Sequence, residues 1–202
     1  MKHPSTRAVY EYWNQRRGSR PAPERGDIDP THIRYALGDT FMLAVDFVDE
    51  LRFRLAGTRV CALFCREIKG EAFAEIWNIE SRKVVDELMT LMNEENAAAV
   101  AGLIAHTEEG NTAELELLLL PLAHSGHARI RALGVLAPTV PPYWLGAQAV
   151  SGLELMTVRH IGPEQKARSV PRFGRAAAGR QLRHGFVVYS GGRETPPGER
   201  TG

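Results

Sequence analysis

The two cysteines of the chain, Cys61 and Cys65, lie four residues apart in the segment GTRVCALFCREIKG, residues 57–70. In a helix this spacing places both thiols on one face. A zinc site would need two more ligands close by, but the seven histidines are scattered along the chain. An intrahelical disulfide is disfavoured because the Cβ vectors do not converge. We therefore predict no metal site, and a free Cys61 that lines the wall of a pocket.

The flanking residues allow a sharper hypothesis for the same thiol. In this hypothesis Cys61 would be an axial thiolate for haem, or a redox-sensing thiol whose pKa is lowered by Arg59 or Arg66, instead of a residue of the pocket wall. Arg59 follows Gly57-Thr58 at a corner between a predicted strand and a predicted helix. Its guanidinium would anchor an anionic ligand or partner, or form a salt bridge to a loop carboxylate. The sequence leaves these two roles of Arg59 open.

Motifs of catalysis are missing from the sequence. It contains no nucleophile elbow, no glycine-rich phosphate loop after a strand and no His-x-x-x-His pair, so we predict no catalytic residues. Glu114 and Glu116 share one face of a predicted strand. A glycosidase would need two carboxylates across a cleft, so this pair is interpreted as part of a solvated face.

Composition sets the class of protein. The chain has 202 residues, of which 44% are hydrophobic and 24% charged, with a net charge of +1. These values are typical of a soluble globular domain and give no general attraction to nucleic acid or membranes. No apolar run approaches the length of a membrane span, and the N-terminus lacks a signal-peptide core. We expect a cytoplasmic protein with reduced cysteines.

Charge is distributed unevenly. Residues 163–202 contain eight Lys and Arg against three Asp and Glu, with Gly and Pro throughout. This composition predicts a basic tail, in which only GFVVYSG has the character of a strand. We divide the chain into an N-terminal helix and linker at 1–26, a folded domain at 27–162 and the tail at 163–202.

Hydrophobic periodicity predicts the order of elements. A helix over 5–17 presents an apolar stripe, and a longer helix covers about 80–93. The strands are predicted at 40–48, 51–57, 97–107, 113–122 and 128–138, with 153–161 as one further strand or helix. Two strands, a helical excursion and three strands indicate an α+β fold, in which helices pack on one face of a five-stranded antiparallel sheet.

Several separated blocks resemble a bacterial family of PAS domains with few assigned functions. The blocks are RFRLAGTRVCALFCREIKGEAFAEIW, AELELLLLPL and LGVLAPTVPPYWLG, in that order. The resemblance covers roughly Tyr10 to His160, including YWNQRRGSRPAPERGDIDPTHIR, and GFVVYSGGRE resembles the family's tail. The chain departs from the family at Cys65, where the family usually has glycine in CALFGRE.

The resemblance implies a PAS fold that binds small ligands or protein partners and relays signals, without catalysis. Its pocket would lie between the helices and the inner face of the sheet. The candidates for that pocket are Phe53, Leu55, Arg59, Cys61, Phe64, Trp77, Leu117 and Leu119.

The opposite face of the sheet carries large apolar side chains that water would not favour. We expect the first helix to cover this outer face, in its own subunit or in a second one, so that the protein dimerises through it. The candidates for this partner surface are Val9, Tyr12, Trp13, Leu118, Leu120, Leu133 and Val135.

The sequence thus favours a non-catalytic sensory or regulatory module that binds a small ligand, a protein partner or a second copy, with no membrane contact. Two alternatives stay open. One is an enzyme with a cone-shaped α+β fold, which would need a buried carboxylate in its cavity. The other is a nucleic-acid binder that uses the basic tail, whose binding would fall steeply with added salt.

Overall fold

The computed structural model describes residues 1–46, 50–123 and 131–161, together with three short strands in the tail. The predictions for the rest of the tail, and for residues 47–49 and 124–130, lie outside the described residues. No helix in the described residues is long and apolar enough to cross a membrane.

In the described residues, the fold consists of three α-helices and one large antiparallel sheet. The helices are α1 (Pro4–Arg17), α2 (Thr58–Leu63) and α3 (Ile79–Glu95). Four single 3-10 turns accompany them, at Arg25–Asp27, Pro30–Ile33, Leu37–Asp39 and Phe73–Ile76. The main strands are β1 (Thr40–Val45), β2 (Leu51–Ala56), β3 (Ala98–Thr107), β4 (Thr112–Pro121), β5 (Arg131–Pro138) and β6 (Val150–Ile161).

The strands pair in the order β2-β1-β5-β4-β3-β6. β5 lies between β1 and β4 and so joins the β1–β2 hairpin to the rest of the sheet. The helical segment between β2 and β3 packs across one face of this sheet. The predicted α+β class with an antiparallel sheet is confirmed, but the sheet has six main strands instead of five because 153–161 is a strand. In the tail, β7 (Arg168–Ser169) extends the sheet beyond β6, and β8 (Leu182–Arg183) pairs with β9 (Phe186–Val187).

Both faces of the sheet are buried, which explains the nearly continuous apolar run of β4. Leu115, Leu117 and Leu119 belong to an inner cluster with α2, α3 and the turn at Phe73–Ile76. Leu118 and Leu120 belong to an outer cluster beneath α1. The period of two along the strand therefore divides one apolar segment between two cores.

The N-terminal helix packs on the outer face of its own sheet. His3 caps α1 and Pro4 starts it, two features that favour a helix beginning there. The indole Nε1 of Trp13 donates to the carbonyl oxygen of Pro121 at 2.9 Å, at the end of β4. The Tyr12 hydroxyl accepts from the amide of Asp29 at 2.8 Å and fixes the chain that follows the helix.

Glu116 is buried, in contrast to the solvated face expected for it and Glu114. Glu114 is exposed, but Glu116 is 7% exposed beneath the start of α1. Its carboxylate accepts from the amides of Lys2 and His3, at 2.6 and 3.0 Å, and from the Thr6 hydroxyl at 2.5 Å. Burial raises the pKa of Glu116, but these hydrogen bonds outweigh it and hold the pKa below its ordinary value.

A β-bulge changes the direction of one predicted pocket residue. Leu43 pairs with Phe53 and Met42 pairs with Leu55, which leaves Arg54 without a partner on β1. Beyond the bulge the alternation of β2 is inverted, so Leu55 is 47% exposed instead of facing inward. The prediction that Leu55 lines the inner pocket is therefore wrong.

Candidate functional site

The candidate site is the inner cluster between the sheet and the helical segment 58–77. Of the residues predicted for a pocket, the structure brings six together here. Five are members of the cluster and the sixth, half-buried, packs against it. These residues are Phe53, Phe64, Trp77, Leu117 and Leu119, with Cys61 at the margin.

Four aromatic rings form the centre of the inner cluster. The ring of Phe41 lies 5.4 Å from that of Phe53, edge to face. Phe73 contacts both, at 6.1 and 5.7 Å, and its ring lies 5.6 Å from that of Trp77. The Phe41–Phe73 pair is stacked and the other three are edge to face, and both arrangements add stability beyond the burial of their surface. Phe41 and Phe73 were not among the pocket residues predicted from the sequence, although Phe73 and Trp77 have helical i,i+4 spacing in AFAEIW.

Trp77 carries a polar group that the cluster does not satisfy. Its side chain is 2% exposed, and its Nε1 has no hydrogen-bond partner among the described residues. The indole of Trp13, in the outer cluster, donates to Pro121. The inner cluster therefore contains a buried donor that lacks an acceptor.

Arg59 lies outside the inner cluster, on the surface of α2. Its Nε and Nη2 donate to the two carboxylate oxygens of Asp39, at 2.6 and 2.8 Å. Of the two roles left open by the sequence, the structure contains the salt bridge to a loop carboxylate. The hydrogen bond to Asp39 raises the pKa of Arg59 further.

Close packing fixes this corner of the molecule. A Cβ at Gly57, the residue before α2, would overlap the carbonyl oxygen of Leu37. A Cβ at Gly38 would lie 2.8 Å from Cζ of Arg59. Position 57 therefore needs glycine if the start of α2 is to lie against the turn that carries Asp39, whereas a Cβ at position 38 would require only the end of the Arg59 side chain to shift.

The thiol of Cys61 is not activated. Arg59 binds Asp39 and Arg66 binds Glu71, at 2.8 Å, so neither guanidinium is paired with the sulfur. Burial raises the pKa of Cys61, and the neighbouring Glu67 raises it further. This direction is opposite to the one that the redox-thiol hypothesis requires. No group of metal-ligating side chains occurs in the part of the chain that the structure describes.

Cys65 is exposed and has a backbone φ of 51°, in the left-handed region. It follows the C-cap of α2, where the amide of Arg66 donates to the carbonyl of Cys61 and the amide of Cys65 to that of Ala62. These two bonds form a Schellman motif, whose left-handed position favours glycine. The geometry explains why glycine is expected here and why cysteine is a departure.

The residues predicted for a partner surface all lie in the outer cluster of one chain. The helix side of this cluster comes from α1, and the sheet side from β4 and β5. Since α1 of the same subunit covers these strands, they are not an open surface. The residues in question are Val9, Tyr12, Trp13, Leu118, Leu120, Leu133 and Val135.

The match to a known protein family agrees with this architecture. The family model described as PAS domain matches residues 1–137, which is more than half of the chain and includes α1. No curated protein matches the chain. The chain belongs to the family of PAS domains, which are generally non-catalytic sensory and regulatory modules.

Proposed function

We propose that this PAS domain is a non-catalytic sensor that takes a small, mostly apolar ligand into its inner cluster. The observation that carries the proposal is the buried Nε1 of Trp77 without an acceptor. Leaving a buried donor unpaired costs about 1–3 kcal/mol, and the large majority of such groups in native proteins are paired. A ligand with one carbonyl or ether oxygen would supply the missing acceptor.

The composition of the cluster supports an apolar ligand and no catalysis. Trp77 packs in a cluster of buried hydrophobic side chains that includes Phe73 and Leu153, and a polar side chain bonded to it, that of Arg82, donates to its backbone carbonyl oxygen. Among the described residues, the two buried carboxylates, Asp39 and Glu116, lie outside this cluster and are held by Arg59 and by the start of α1. The alternative of an enzyme with a cone-shaped fold requires proton transfer to or from a ligand in the inner cluster. That chemistry would need a carboxylate within the cluster.

The signal would leave the domain through α2. Because Phe53, Phe64 and Trp77 are almost fully buried, a ligand would have to displace part of the helical segment 58–77, and α2 is the part of it that is joined to α1. Arg59 on α2 is joined to Asp39, and Asp39 accepts from the Ser5 hydroxyl of α1 at 2.6 Å. A shift of α2 would therefore change the position of α1, which can be read by a protein partner or by a second copy of the chain.

The test is native mass spectrometry of the purified protein, with two matched variants. We expect the wild type to retain a small molecule whose mass disappears on denaturation, and Trp77→Phe to lose it. Trp13→Phe is the control, because it removes an indole N–H that already has an acceptor, and it should keep the molecule. A wild type without a bound mass, or a Trp77→Phe protein that retains it, would contradict the proposal.

A further inference from the structure

A groove lies on the outer face of the sheet, beyond the region that α1 covers. It has a volume of about 440 Å³, within the range of roughly 300–1,000 Å³ that is usual for small-molecule sites. Met42 and Leu55 contribute apolar surface from β1 and β2, and Leu122 contributes more from the end of β4. Two arginines, Arg25 and Arg54, also line it. The groove thus combines an apolar surface with positive charge.

The β-bulge in β2 creates this combination. Since Arg54 has no partner on β1, Arg54 and Leu55 both line the outer groove, while Phe53 faces the inner cluster. A regular strand would have turned Leu55 inward and left only Arg54 outside. Bulges commonly re-aim a side chain beside a functional site. The bulge therefore places an arginine and an exposed leucine next to each other in the groove.

The two arginines are available for a ligand. In residues 1–46, 50–123 and 131–161, neither Arg25 nor Arg54 forms an ion pair, and Arg54 makes no hydrogen bond. Arg25 makes one long hydrogen bond, 3.4 Å, to the carbonyl oxygen of Ile28. By contrast, Arg52 on the same strand is paired with Asp46 and Glu50. An anion could therefore bind these two guanidinium groups without breaking an ion pair that the described residues already form.

We propose that the groove binds a small amphipathic carboxylate. The head group would accept hydrogen bonds from Arg54 and Arg25, since guanidinium pairs well with carboxylate. An aliphatic tail would lie against Met42, Leu55 and Leu122 and bury the exposed leucine. A helical peptide would need anchors over two or more turns, which a groove of this volume does not provide. Of the residues that line the groove, only Leu43 belongs to the inner cluster with Trp77, and the charged head group would lie away from that cluster.

Decanoate is the probe for this site, used below its micelle concentration. We expect it to shift the amide signals of Met42, Arg54 and Leu55 in a ¹⁵N NMR titration. Arg54→Gln and Leu55→Asp should each weaken its binding about tenfold or more, by removing the charged hydrogen bond or the apolar contact. Both side chains are exposed, so neither change threatens the fold. Arg7→Gln, an exposed arginine on α1, should leave the binding unchanged.

Two further probes distinguish the contribution of the ligand's negative charge from that of its aliphatic chain. Decanol lacks the charge and butyrate lacks the long tail, so both should bind more weakly than decanoate. Trp77→Phe should leave decanoate binding unchanged, which distinguishes this groove from the inner cluster. The proposal is overturned if decanoate shifts no groove signals, if butyrate binds as tightly, or if Arg54→Gln and Leu55→Asp bind decanoate like the wild type.

Discussion

Asp39 and Arg59 form a two-pronged ion pair, with Nε–Oδ1 and Nη2–Oδ2 distances of 2.6 and 2.8 Å. The side chain of Asp39 is only 4% exposed, whereas that of Arg59 is half exposed. The Ser5 hydroxyl donates to the same carboxylate. The pair therefore connects α2, which closes the inner cluster, with α1, which covers the outer face of the sheet.

Asp39→Asn should weaken this connection. The amide keeps one acceptor oxygen but loses the charge, so Arg59 and Ser5 can no longer both be satisfied. We expect the free energy of unfolding in urea to fall by about 1–3 kcal/mol. Asp86→Asn, at an exposed position of α3, is the control and should change little. Equal urea midpoints for the wild type and Asp39→Asn would show that the pair does not hold the two helices.

Glu116 should make stability depend on pH. Its pKa in the folded protein lies below the ordinary value of 4.5, so its contribution is complete above that value. The contribution is lost as the pH falls through the lowered folded pKa. Unfolding in urea, measured from neutral pH down to about pH 3, should show a steeper loss for the wild type than for Glu116→Gln. Parallel curves for the two proteins would contradict the burial of an ionised Glu116.

Cys65→Gly should stabilise the protein. A non-glycine residue in the left-handed region costs about 1–2 kcal/mol, and the entropy of glycine in the unfolded chain offsets part of the gain. We expect a net gain of about 0.5–1 kcal/mol in the free energy of unfolding. Ala62→Gly is the control, because it introduces glycine within α2, where glycine is unfavourable, and it should destabilise the protein instead. A loss of stability in Cys65→Gly would mean that the Schellman motif does not form.

Cys61→Ser should leave ligand binding largely intact, because its thiol is half-buried with a raised pKa. A thiol reagent should modify the exposed Cys65 faster than Cys61. Absorption spectra of the purified wild type and Cys61→Ser provide the second readout. A strong Soret band that vanishes in Cys61→Ser would instead identify a haem with Cys61 as its axial ligand.

Residues 163–202 should add little to the stability of the domain, because they contain few apolar side chains. We expect a chain that ends at Gly162 to melt close to the temperature of the full-length protein. Within the tail, β7 pairs with β6 over only two residues, and β8 and β9 pair with each other. A drop of more than about 10 °C, roughly 2 kcal/mol or more, would show that β7 and the rest of the tail stabilise the domain.

The alternating pattern of β4 was enough to assign side chains to the two faces of the sheet. Leu117 and Leu119 lie in the inner cluster and Leu118 and Leu120 in the outer one, as the period of two predicts. The same rule fails at Leu55, because the bulge at Arg54 inverts the alternation. A bulge depends on how two strands pair, and the sequence of one strand does not reveal it.

The other differences between the predicted and observed environments of side chains arise from partners that are distant in the sequence. Glu116 looked solvated because a carboxylate in a strand is usually exposed, and its partners Lys2, His3 and Thr6 are more than 100 residues away in sequence. Nothing in the local pattern of β4 indicates that the start of a helix will lie above it. The environment of Arg59 was equally undetermined, since its partner Asp39 is supplied by a separate turn.

The most direct test of the proposed sensor is the indole N–H signal of Trp77 in ¹⁵N NMR spectra. It would be recorded for the protein as purified and after unfolding and refolding to remove any bound molecule. We predict that the Trp77 signal lies further downfield in the purified protein, where a ligand oxygen accepts its hydrogen bond, while the Trp13 signal is the same in both. An identical Trp77 signal in the two samples would contradict the account, because the donor would then have no ligand to bind.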